Sequence, residues 1–427
     1  MYLQKKGAKY WACCPFHNEK TPSFVVNPDE QYYHCFGCGK SGNVITFLTE
    51  HERMSYTEAV ETLARMAGME LPEEETPEER RRRETAAKIL EANKTAAKYY
   101  YSALKTAPDS VKEYIIKRRL SSKTVVAFGL GYSPDRYGLG KALGAKGFSG
   151  STLADAGLVN SDGSDRMELR LVIPIINVRG DVLGFGGRTL SQDVKPKYVN
   201  TRGTLVFDKR KNLFGINLVK KHLSTENLTS VVLTEGYMDV ISLYQAGIHN
   251  AVASMGTSLT EEQCREIKRL VNTVYVCFDG DAAGENATWR SLDMLAATNV
   301  EVKVMSLPDG MDPDDVVKAR GEEGFRELMH AALPLTEFKI KKLAASENLK
   351  TFAGRERFAV KTLPVLNALS PIGRDTHIGL VSELSGLSVE SISNSLKDYA
   401  AGASGAKSAA PAKEDGKTEI SKSRLKT

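Results

Sequence analysis

The sequence Val231-Val232-Leu233-Thr234-Glu235 is a short apolar run that ends in an acid, and the chain repeats this pattern twice. Residues 273–278 precede Asp279, and residues 300–307 precede a run of acids that includes Asp312-Pro313-Asp314. Helix-like segments separate the three runs. Alternating strands and helices predict a parallel sheet, and ligands of such sheets bind at the carboxyl ends of the strands. The stretch therefore predicts an α/β domain with acids gathered at one edge of its sheet.

Acids gathered at one edge repel one another unless cations lie between them. Mg²⁺ is commonly held by one or two carboxylates together with substrate phosphates. The predicted ligands are Glu235, Asp279, Asp281, Asp312 and Asp314. A single strand-end acid can equally cap the following helix, but that explanation does not account for a set spaced over three strand ends. We predict a metal-dependent site for phosphate chemistry.

Length and composition indicate a multidomain protein. The chain has 427 residues, enough for two or three domains. No apolar run approaches the ~20 residues that a membrane helix needs, and the polar N-terminus has no signal-peptide core. We therefore expect a cytoplasmic protein without a membrane partner. In that compartment six closely spaced cysteines indicate metal binding rather than disulfides.

The net charge of +5 hides an asymmetry along the chain. Residues 94–226 carry 23 Lys and Arg against 11 Asp and Glu, a net +12. Residues 228–318 carry 6 against 14, a net −8. A basic module next to an acidic one suits a polyanion that is bound by the first and processed by the second, although solvated charged faces would also contribute to the difference.

The first forty residues contain a C-x₂-H pair and a C-x₂-C pair, 17 residues apart. This spacing is typical of a tetrahedral structural Zn²⁺ site, with ligands Cys14, His17, Cys35 and Cys38. Cys13 and His34 are competing candidates, but only the first set gives two x₂ turns. The intervening strand-like residues are rich in aromatic side chains, which would either stack on bases or form a core. The residues leave both possibilities open.

Three acidic motifs resemble those of a Toprim domain. They are Glu235-Gly236-Tyr237-Met238-Asp239, Asp279-Gly280-Asp281-Ala282-Ala283-Gly284 and Asp312-Pro313-Asp314. Toprim domains occur in bacterial primases, type IA and II topoisomerases, OLD-type nucleases and RecR-like repair proteins. The resemblance implies the fold of this domain, and the flanking sequence has to indicate the activity.

The flanking sequence resembles bacterial DnaG-type primases. Residues 10–71 are similar to their zinc-binding domain, and this similarity implies the same four zinc ligands. Further motifs resemble the basic cleft of the primase polymerase domain, namely Gly186-Gly187-Arg188, Pro196-Lys197-Tyr198-Val199-Asn200, Phe207-Asp208-Lys209 and Lys117-Arg118-Arg119-Leu120. By this resemblance the predicted nucleic-acid-binding residues are Arg118, Arg188, Lys197, Tyr198, Asn200 and Lys209.

The resemblance implies a DNA primase, which copies single-stranded DNA into short RNA primers from ribonucleoside triphosphates. Glu235 would be the acid–base or metal residue, Asp279 would bridge the ions, and Asp281 would hold the second ion. Asp312 and Asp314 would supply outer contacts, with Asp239 a weaker candidate. About two catalytic Mg²⁺ or Mn²⁺ ions and one structural zinc are implied. The alternative is a non-catalytic, RecR-like DNA-binding protein, which also pairs zinc with a Toprim domain.

The predicted fold class is a multidomain α+β protein with an α/β Toprim domain. The expected segments are a zinc ribbon (1–72), a charged linker (73–93), a mixed α/β basic subdomain (94–227), a parallel-sheet Toprim domain (228–318), a helical subdomain (319–399) and a disordered tail (400–427). We expect a monomer acting at the replication fork. The family's helicase-binding domain has no counterpart in this sequence, so we expect no helicase docking.

Overall fold

The computed structural model describes residues 2–52, 54–69, 76–191, 193–226, 228–256, 258–277, 285–308 and 310–408. Two compact units are present, one of residues 1–301 and 307–327 and the other of residues 302–306 and 328–427. Among the described helices, none is long and apolar enough to cross a membrane.

The N-terminal module is an antiparallel ribbon followed by two helices. Its strands, in spatial order, are β1 (Gln4–Lys6), β2 (Lys9–Ala12), β3 (Phe24–Asn27), β4 (Tyr32–Cys35) and β5 (Ser41–Gly42). The helices are α1 (Val44–His51) and α2 (Tyr56–Ala67). Asn43 caps α1 through the backbone N–H of Thr46, and Ser55 forms a capping box with Glu58. These caps explain where the two helices begin.

A long helix, α3 (Pro77–Leu104), occupies most of the segment predicted as a charged linker. Thr76 and Glu79 form a capping box and proline opens the first turn, which is a strong start signal. Ile89 and Ala92 are buried in the core of the basic subdomain. Residues 77–85 of this helix are exposed. The prediction of a linker over residues 73–93 therefore fails only toward its C-terminal end, where Ile89 and Ala92 are buried.

The basic subdomain wraps helices around a four-stranded antiparallel sheet. Its strands, in spatial order, are β6 (Gly131–Tyr132), β7 (Arg170–Ile176), β8 (Val182–Thr189) and β9 (Tyr198–Asn200). Its helices are α4 (Asp109–Lys117), α5 (Ser122–Phe128), α6 (Gly138–Gly144), α7 (Gly150–Asp155) and α8 (Ile216–Thr225). β7 and β8 are consecutive and pair in antiparallel orientation, so they form a hairpin.

The acidic segment begins with three parallel strands. In spatial order these are β11 (Ala251–Ala253), β10 (Ser230–Thr234) and β12 (Thr273–Val276). The interspersed helices are α9 (Tyr237–Gln245), α10 (Glu261–Leu270) and α11 (Glu285–Ala296). Val231, Val232 and Leu233 are all fully buried, as expected for a strand covered on both faces. The sequence predicted β10, β12 and the helices α9 and α11, but it missed β11 and α10.

The remaining elements are β13 (Glu301–Val304), α12 (Pro313–His330) and β14 (Leu333–Pro334), followed by four helices. β13 pairs in antiparallel orientation with β14, which lies beyond residues 228–318, the segment predicted to form a parallel sheet. The helices are α13 (Leu335–Ala345), α14 (Phe352–Asn367), α15 (Pro371–Ser385) and α16 (Val389–Ser408). They share one apolar core around Phe358 and Leu366.

The predicted disordered tail overlaps the last helix. Residues 400–408 continue α16, so the prediction of disorder from residue 400 is wrong for this part. Residues 409–427 lie outside the described part of the chain.

Candidate functional site

The four side chains predicted to bind zinc lie together at the ends of the ribbon strands. The Sγ atoms of Cys14 and Cys38 are 3.9 Å apart, and Cys35 Sγ lies 3.8 Å from His17 Nδ1. All four ligand atoms lie within 4.8 Å of one another. A tetrahedral Zn²⁺ with bonds of about 2.0–2.3 Å separates its ligand atoms by a similar distance. The donor set therefore fits a structural zinc ion.

Glu19 orients this cluster from outside. Its Oε2 lies 3.3 Å from His17 Nε2, and its Oε1 accepts a hydrogen bond of 2.6 Å from the backbone N–H of Cys14. Because Nε2 faces the carboxylate, His17 directs Nδ1 toward the cysteines. A Cβ at Gly37 would lie 2.7 Å from His17 Nε2, so glycine at this position lets the second knuckle approach the imidazole.

The two buried thiols of the cluster differ in acidity. Burial raises the pKa of Cys35, but hydrogen bonds from Ser23 Oγ and from the backbone N–H groups of Cys38 and Gly37 outweigh it and bring the pKa to about 6. At Cys14 burial is the largest influence, and it raises the pKa to about 12. A bound cation would hold both as thiolates, since metal ligands must be deprotonated.

The aromatic side chains of the ribbon divide into two sets. Phe24 and Tyr33 are buried and pack with Phe16 and Phe47 in a small core. By contrast, Trp11 and Phe36 stack with ring centroids 6.2 Å apart, and Phe36 is 69% exposed. The first set is structural, and the second offers an open aromatic surface of the kind on which bases stack.

The strand-end acids are only partly within the described residues. Glu235 follows β10 directly and is exposed at the start of α9. Asp239 Oδ2 accepts a hydrogen bond of 3.0 Å from the backbone N–H of Gly236, so it caps α9. Asp279 and Asp281 lie outside the described residues. Their predicted roles therefore stay predictions.

The third acidic motif forms a compact group at the start of α12. Ligand oxygens of Asp312, Asp314 and the neighbouring Asp315 lie within 4.8 Å of one another. Asp312 Oδ1 also accepts a hydrogen bond of 2.7 Å from the backbone N–H of Asp315. Three carboxylates at this spacing could hold a divalent cation.

Asp314 is buried and already has several protein partners. Its Oδ1 accepts from Ser242 Oγ at 2.6 Å, while its Oδ2 accepts from Lys318 Nζ at 2.6 Å and from Arg118. Two cations thus balance one buried carboxylate. Asp314 consequently ties α12 to the end of α4, where Arg118 is located.

Arg118, Arg188 and Tyr198, three of the predicted nucleic-acid-binding residues, meet around Tyr114. The guanidinium of Arg188 lies 5.0 Å from the Tyr114 ring and 5.2 Å from the Tyr198 ring, and that of Arg118 lies 5.6 Å from Tyr114. Arg188 also donates a hydrogen bond to Tyr198 Oη. Burial raises the pKa of Tyr114, although the nearby Arg188 and Arg118 oppose this shift. The hydroxyl groups of Tyr114 and Tyr198 therefore stay neutral beside the guanidinium groups of Arg118 and Arg188.

Of the other three predicted residues, Lys197 immediately precedes β9, Asn200 ends it, and Lys209 lies in the loop that follows. Lys197 and Lys209 are exposed. Asn200 Oδ1 accepts a hydrogen bond of 2.8 Å from Tyr237 Oη, the tyrosine of the first acidic motif. Asn200 and Lys209 also line a cavity of about 330 Å³ together with Arg202 and Arg210. The basic segment and the acidic segment are therefore contiguous.

The packing of β8 against α9 explains why the basic motif at residues 186–188 begins with glycine. A Cβ at Gly186 would lie 2.8 Å from the Tyr237 ring. Only glycine lets β8 approach α9 so closely.

Comparison with known proteins agrees with this arrangement. Residues 1–79 match the CHC2 zinc finger family, residues 99–220 match the N-terminal domain of the DNA primase catalytic core, and residues 232–317 match Toprim-like domains. The DNA primase of Escherichia coli K12 is 39% identical over 394 residues, which cover 90% of this chain and 67% of the relative. The chain belongs to the bacterial DNA primase family. Its three recognised regions follow one another in the order that the sequence motifs predicted.

Solved primase structures are similar over most of the chain. The zinc-binding and RNA polymerase domains of the Aquifex aeolicus primase match with a TM-score of 0.61 at 33% identity, covering 92% of this chain and 94% of that one. A DnaG primase catalytic domain bound to single-stranded DNA matches with a TM-score of 0.62 at 32% identity, covering 71% and 98%. The chain spans only 65%, 60% and 57% of the length of three further primases that it matches.

Sequence analysis missed several residues that organise these primase elements. Lys318 stands four residues after Asp314 on α12, and this spacing was a usable signal for an ion pair. Tyr114 and Ser242 carried no comparable signal, because their partners Arg188 and Asp314 are distant in sequence. Glu19 lies close in sequence to His17 and Cys14, but no spacing pattern marks it as their partner.

Proposed function

We propose that this chain is a primer-synthesising RNA polymerase that copies single-stranded DNA from ribonucleoside triphosphates. The observation that carries the proposal is the contact between its basic and acidic segments. Asn200 of the basic segment hydrogen-bonds Tyr237 beside Glu235, and Arg118 pairs with Asp314. A polymerase needs this proximity, because the phosphates that it binds electrostatically must reach the acids that hold its catalytic cations.

The acids would hold Mg²⁺ or Mn²⁺, about two ions, near the end of β10. The exposed position of Glu235 between a buried strand and α9 supports this role. Asp279, Asp281 and Asp312 complete the proposed ligand set, with Asp314 more engaged in holding Arg118. Bound there, the ions would stabilise the attacking 3′-oxygen and the leaving pyrophosphate.

The cluster of Tyr114, Arg118, Arg188 and Tyr198 would guide the nucleic acid toward these acids. Arg188 is buried, so it would act on the nucleic acid mainly through its positive charge rather than through direct phosphate contact. Lys197 and Lys209 are exposed and would contact backbone phosphates. We call the cluster together with Lys197 and Lys209 the nucleic-acid track. Its proposed ligands are the template strand, the RNA primer and the incoming nucleotides.

Primer synthesis on a single-stranded template tests the proposal directly. The wild-type chain with Mg²⁺ or Mn²⁺ should extend labelled ribonucleotides into short RNA, and Glu235→Gln should reduce the rate at least about 100-fold, because a metal ligand or acid–base group is lost. The exposed acid Glu262 on α10 offers a matched control, since Glu262→Gln should retain the wild-type rate.

Two results would contradict the proposal in different ways. A wild-type chain that binds single-stranded DNA but makes no RNA with either metal would favour the non-catalytic, RecR-like alternative. Full activity of Glu235→Gln would agree with the proposed polymerase activity but would remove Glu235 from the proposed metal site.

We further propose that the ribbon cluster holds one zinc ion with a structural role. Elemental analysis should find about one zinc per chain fewer in Cys35→Ser than in the wild type, and the ribbon of this variant should unfold first, because the small core around Phe24 cannot replace the metal. Cys13→Ser is the matched control, since Cys13 is an exposed thiol outside the cluster. Zinc retained by Cys35→Ser would contradict the ligand assignment.

A further inference from the structure

A second cluster of potential metal ligands shares no residue with the ribbon or with the strand-end acids. It consists of His222 in the last turn of α8, Glu226 immediately after that helix, and His249 in the turn before β11. The Nδ1 atoms of both imidazoles lie 2.7 Å from the same carboxylate oxygen, Glu226 Oε1. The i,i+4 spacing places His222 and Glu226 on one face of the helix end.

Packing holds the two imidazoles in place. Their ring centroids are 4.5 Å apart, and the Tyr244 ring contacts both, at 5.8 Å from His222 and 4.6 Å from His249. Tyr244 Oη also lies 3.4 Å from His222 Nε2. The His222 side chain is 15% exposed and that of His249 is 27% exposed. The cluster is thus partly buried and pre-positioned, with an opening to solvent.

The donor set indicates which cation would bind. Two imidazole nitrogens and one carboxylate oxygen suit borderline metals such as Zn²⁺, and they leave a fourth tetrahedral position for water. Tetrahedral Zn²⁺ with bonds of about 2.0–2.1 Å separates its ligand atoms by about 3.3 Å. Glu226, whose side chain is 37% exposed, therefore needs to withdraw by about half an ångström, which a single side-chain rotation provides.

We propose that His222, Glu226 and His249 form a Zn²⁺-binding site that clamps the end of α8 to the turn between α9 and β11. In the metal-free state both Nδ1 atoms lie within hydrogen-bond distance of Glu226 Oε1. Zn²⁺ bound through Nδ1 requires each neutral imidazole to carry its single proton on Nε2, and two coordinate bonds then replace the contacts with the carboxylate. The clamp joins the last helix of the basic subdomain to the parallel sheet of the acidic segment.

Calorimetric titration of Zn²⁺ into the full chain tests the proposal. The ribbon is loaded with zinc beforehand, and millimolar Mg²⁺ occupies the carboxylate sites. One further equivalent of Zn²⁺ should bind to the wild type, whereas His222→Ala and His249→Ala should bind none at this site. His330→Ala is the matched control, because His330 is an exposed histidine outside the cluster, and it should bind the same further equivalent.

Two additional measurements identify the ligands and guard against misfolding. Co²⁺ added in place of Zn²⁺ should produce tetrahedral d–d absorption without the thiolate charge-transfer band of the ribbon site. Zn²⁺ should raise the melting temperature of the wild type but not of His249→Ala, whose circular dichroism should match the wild type. Glu226→Gln, which keeps the shape of the side chain, should weaken binding more than about tenfold.

The proposal fails if the ribbon-loaded wild type takes up no further Zn²⁺. It also fails if the further uptake persists in folded His222→Ala and His249→Ala, or if the Co²⁺ spectrum shows only thiolate ligation.

Discussion

Two buried aspartates show how differently this fold treats the same side chain. The carboxylate of Asp314 is paired with Arg118 and Lys318, whose positive charges balance it. Asp165 forms no ion pair with the described residues, and it accepts hydrogen bonds from Tyr100 Oη, Ser133 Oγ and the backbone N–H of Met167. Burial outweighs these hydrogen bonds and raises the pKa of Asp165 to about 6.

The raised pKa of Asp165 predicts a pH-dependent loss of stability. Between its ordinary value of 3.8 and about 6, the unfolded chain has lost this proton while the folded chain still holds it. Stability therefore falls as pH rises through this window, by about 3 kcal/mol for a shift of roughly two pKa units. Denaturant unfolding at several pH values should show this fall in the wild type relative to Asp165→Asn.

The control for Asp165 is the difference between the two proteins, because other carboxylates titrate equally in both. If the difference in unfolding free energy between wild type and Asp165→Asn stays constant from pH 4 to pH 7, the group titrates normally in the folded state.

The ion pairs of Asp314 predict a structural effect of Asp314→Asn that is separate from metal binding. The substitution leaves Arg118 and Lys318 without their carboxylate, and both are partly exposed, so we expect a loss of about 2–3 kcal/mol in the free energy of unfolding. Urea denaturation in the presence of a chelator measures this effect alone.

Asp315→Asn provides the comparison for Asp314→Asn, because Asp315 is exposed on the same turn and should change stability by less than about 0.5 kcal/mol. Equal stability of Asp314→Asn and the wild type under chelation would show that the buried ion pairs contribute nothing net.

Among the secondary-structure elements, α3 shows most clearly how a charged segment becomes part of a buried core. Its first turns are densely charged, yet further along the helix Ile89, Ala92, Ala96 and Tyr100 form one buried stripe against the antiparallel sheet. Asn93 extends this contact, since its side-chain amide donates to the carbonyl of Leu183 on β8 at 2.9 Å. The helix is therefore a core element of the basic subdomain rather than a tether.

This packing predicts that Ile89→Ala destabilises the basic subdomain by about 2–4 kcal/mol, because a fully buried side chain leaves a cavity. Lys88→Ala, one residue earlier on the exposed face, should change stability by less than about 0.5 kcal/mol. Thermal or urea unfolding of the two variants gives the comparison. Equal stabilities would restore the interpretation of this segment as a linker.

At the level of the whole molecule, charge is distributed to suit a polyanionic ligand. The segment from residue 94 to 226 has a net charge of +12, and the adjoining segment from 228 to 318 has a net charge of −8. In the fold these segments meet where Asn200 contacts Tyr237 and Arg118 contacts Asp314. If the basic segment binds the phosphates of a nucleic acid as proposed, cations would be needed where those phosphates approach the acids.

The track predicts salt-dependent binding of single-stranded DNA. Affinity should fall linearly with the logarithm of salt concentration, and Lys197→Ala should reduce the log–log slope by ~0.7, the value for one phosphate contact on a single strand. Fluorescence anisotropy over a salt series measures the slope. Lys146→Ala, an exposed lysine outside the basic motifs, should leave it unchanged. An unchanged slope in Lys197→Ala would exclude this lysine from the track.

The sequence by itself determined the local chemistry of this protein. The x₂ spacings identified Cys14, His17, Cys35 and Cys38, because ligands on one tight turn are necessarily close in the chain. The apolar runs likewise predicted β10 and β12, and the acid after the first run placed Glu235 at the end of β10. This was possible because a buried strand is a short run of consecutive apolar residues.

Only the tertiary structure decided which distant residues act together. Nothing within the segment around Tyr114 predicts that it lies beneath Arg188, and nothing near His249 predicts that it shares a carboxylate with His222. The same holds for the burial of Asp314 against Arg118, 196 residues away. Such contacts depend on how sheets and helices pack, because burial and desolvation are properties of the assembled core and not of any local pattern.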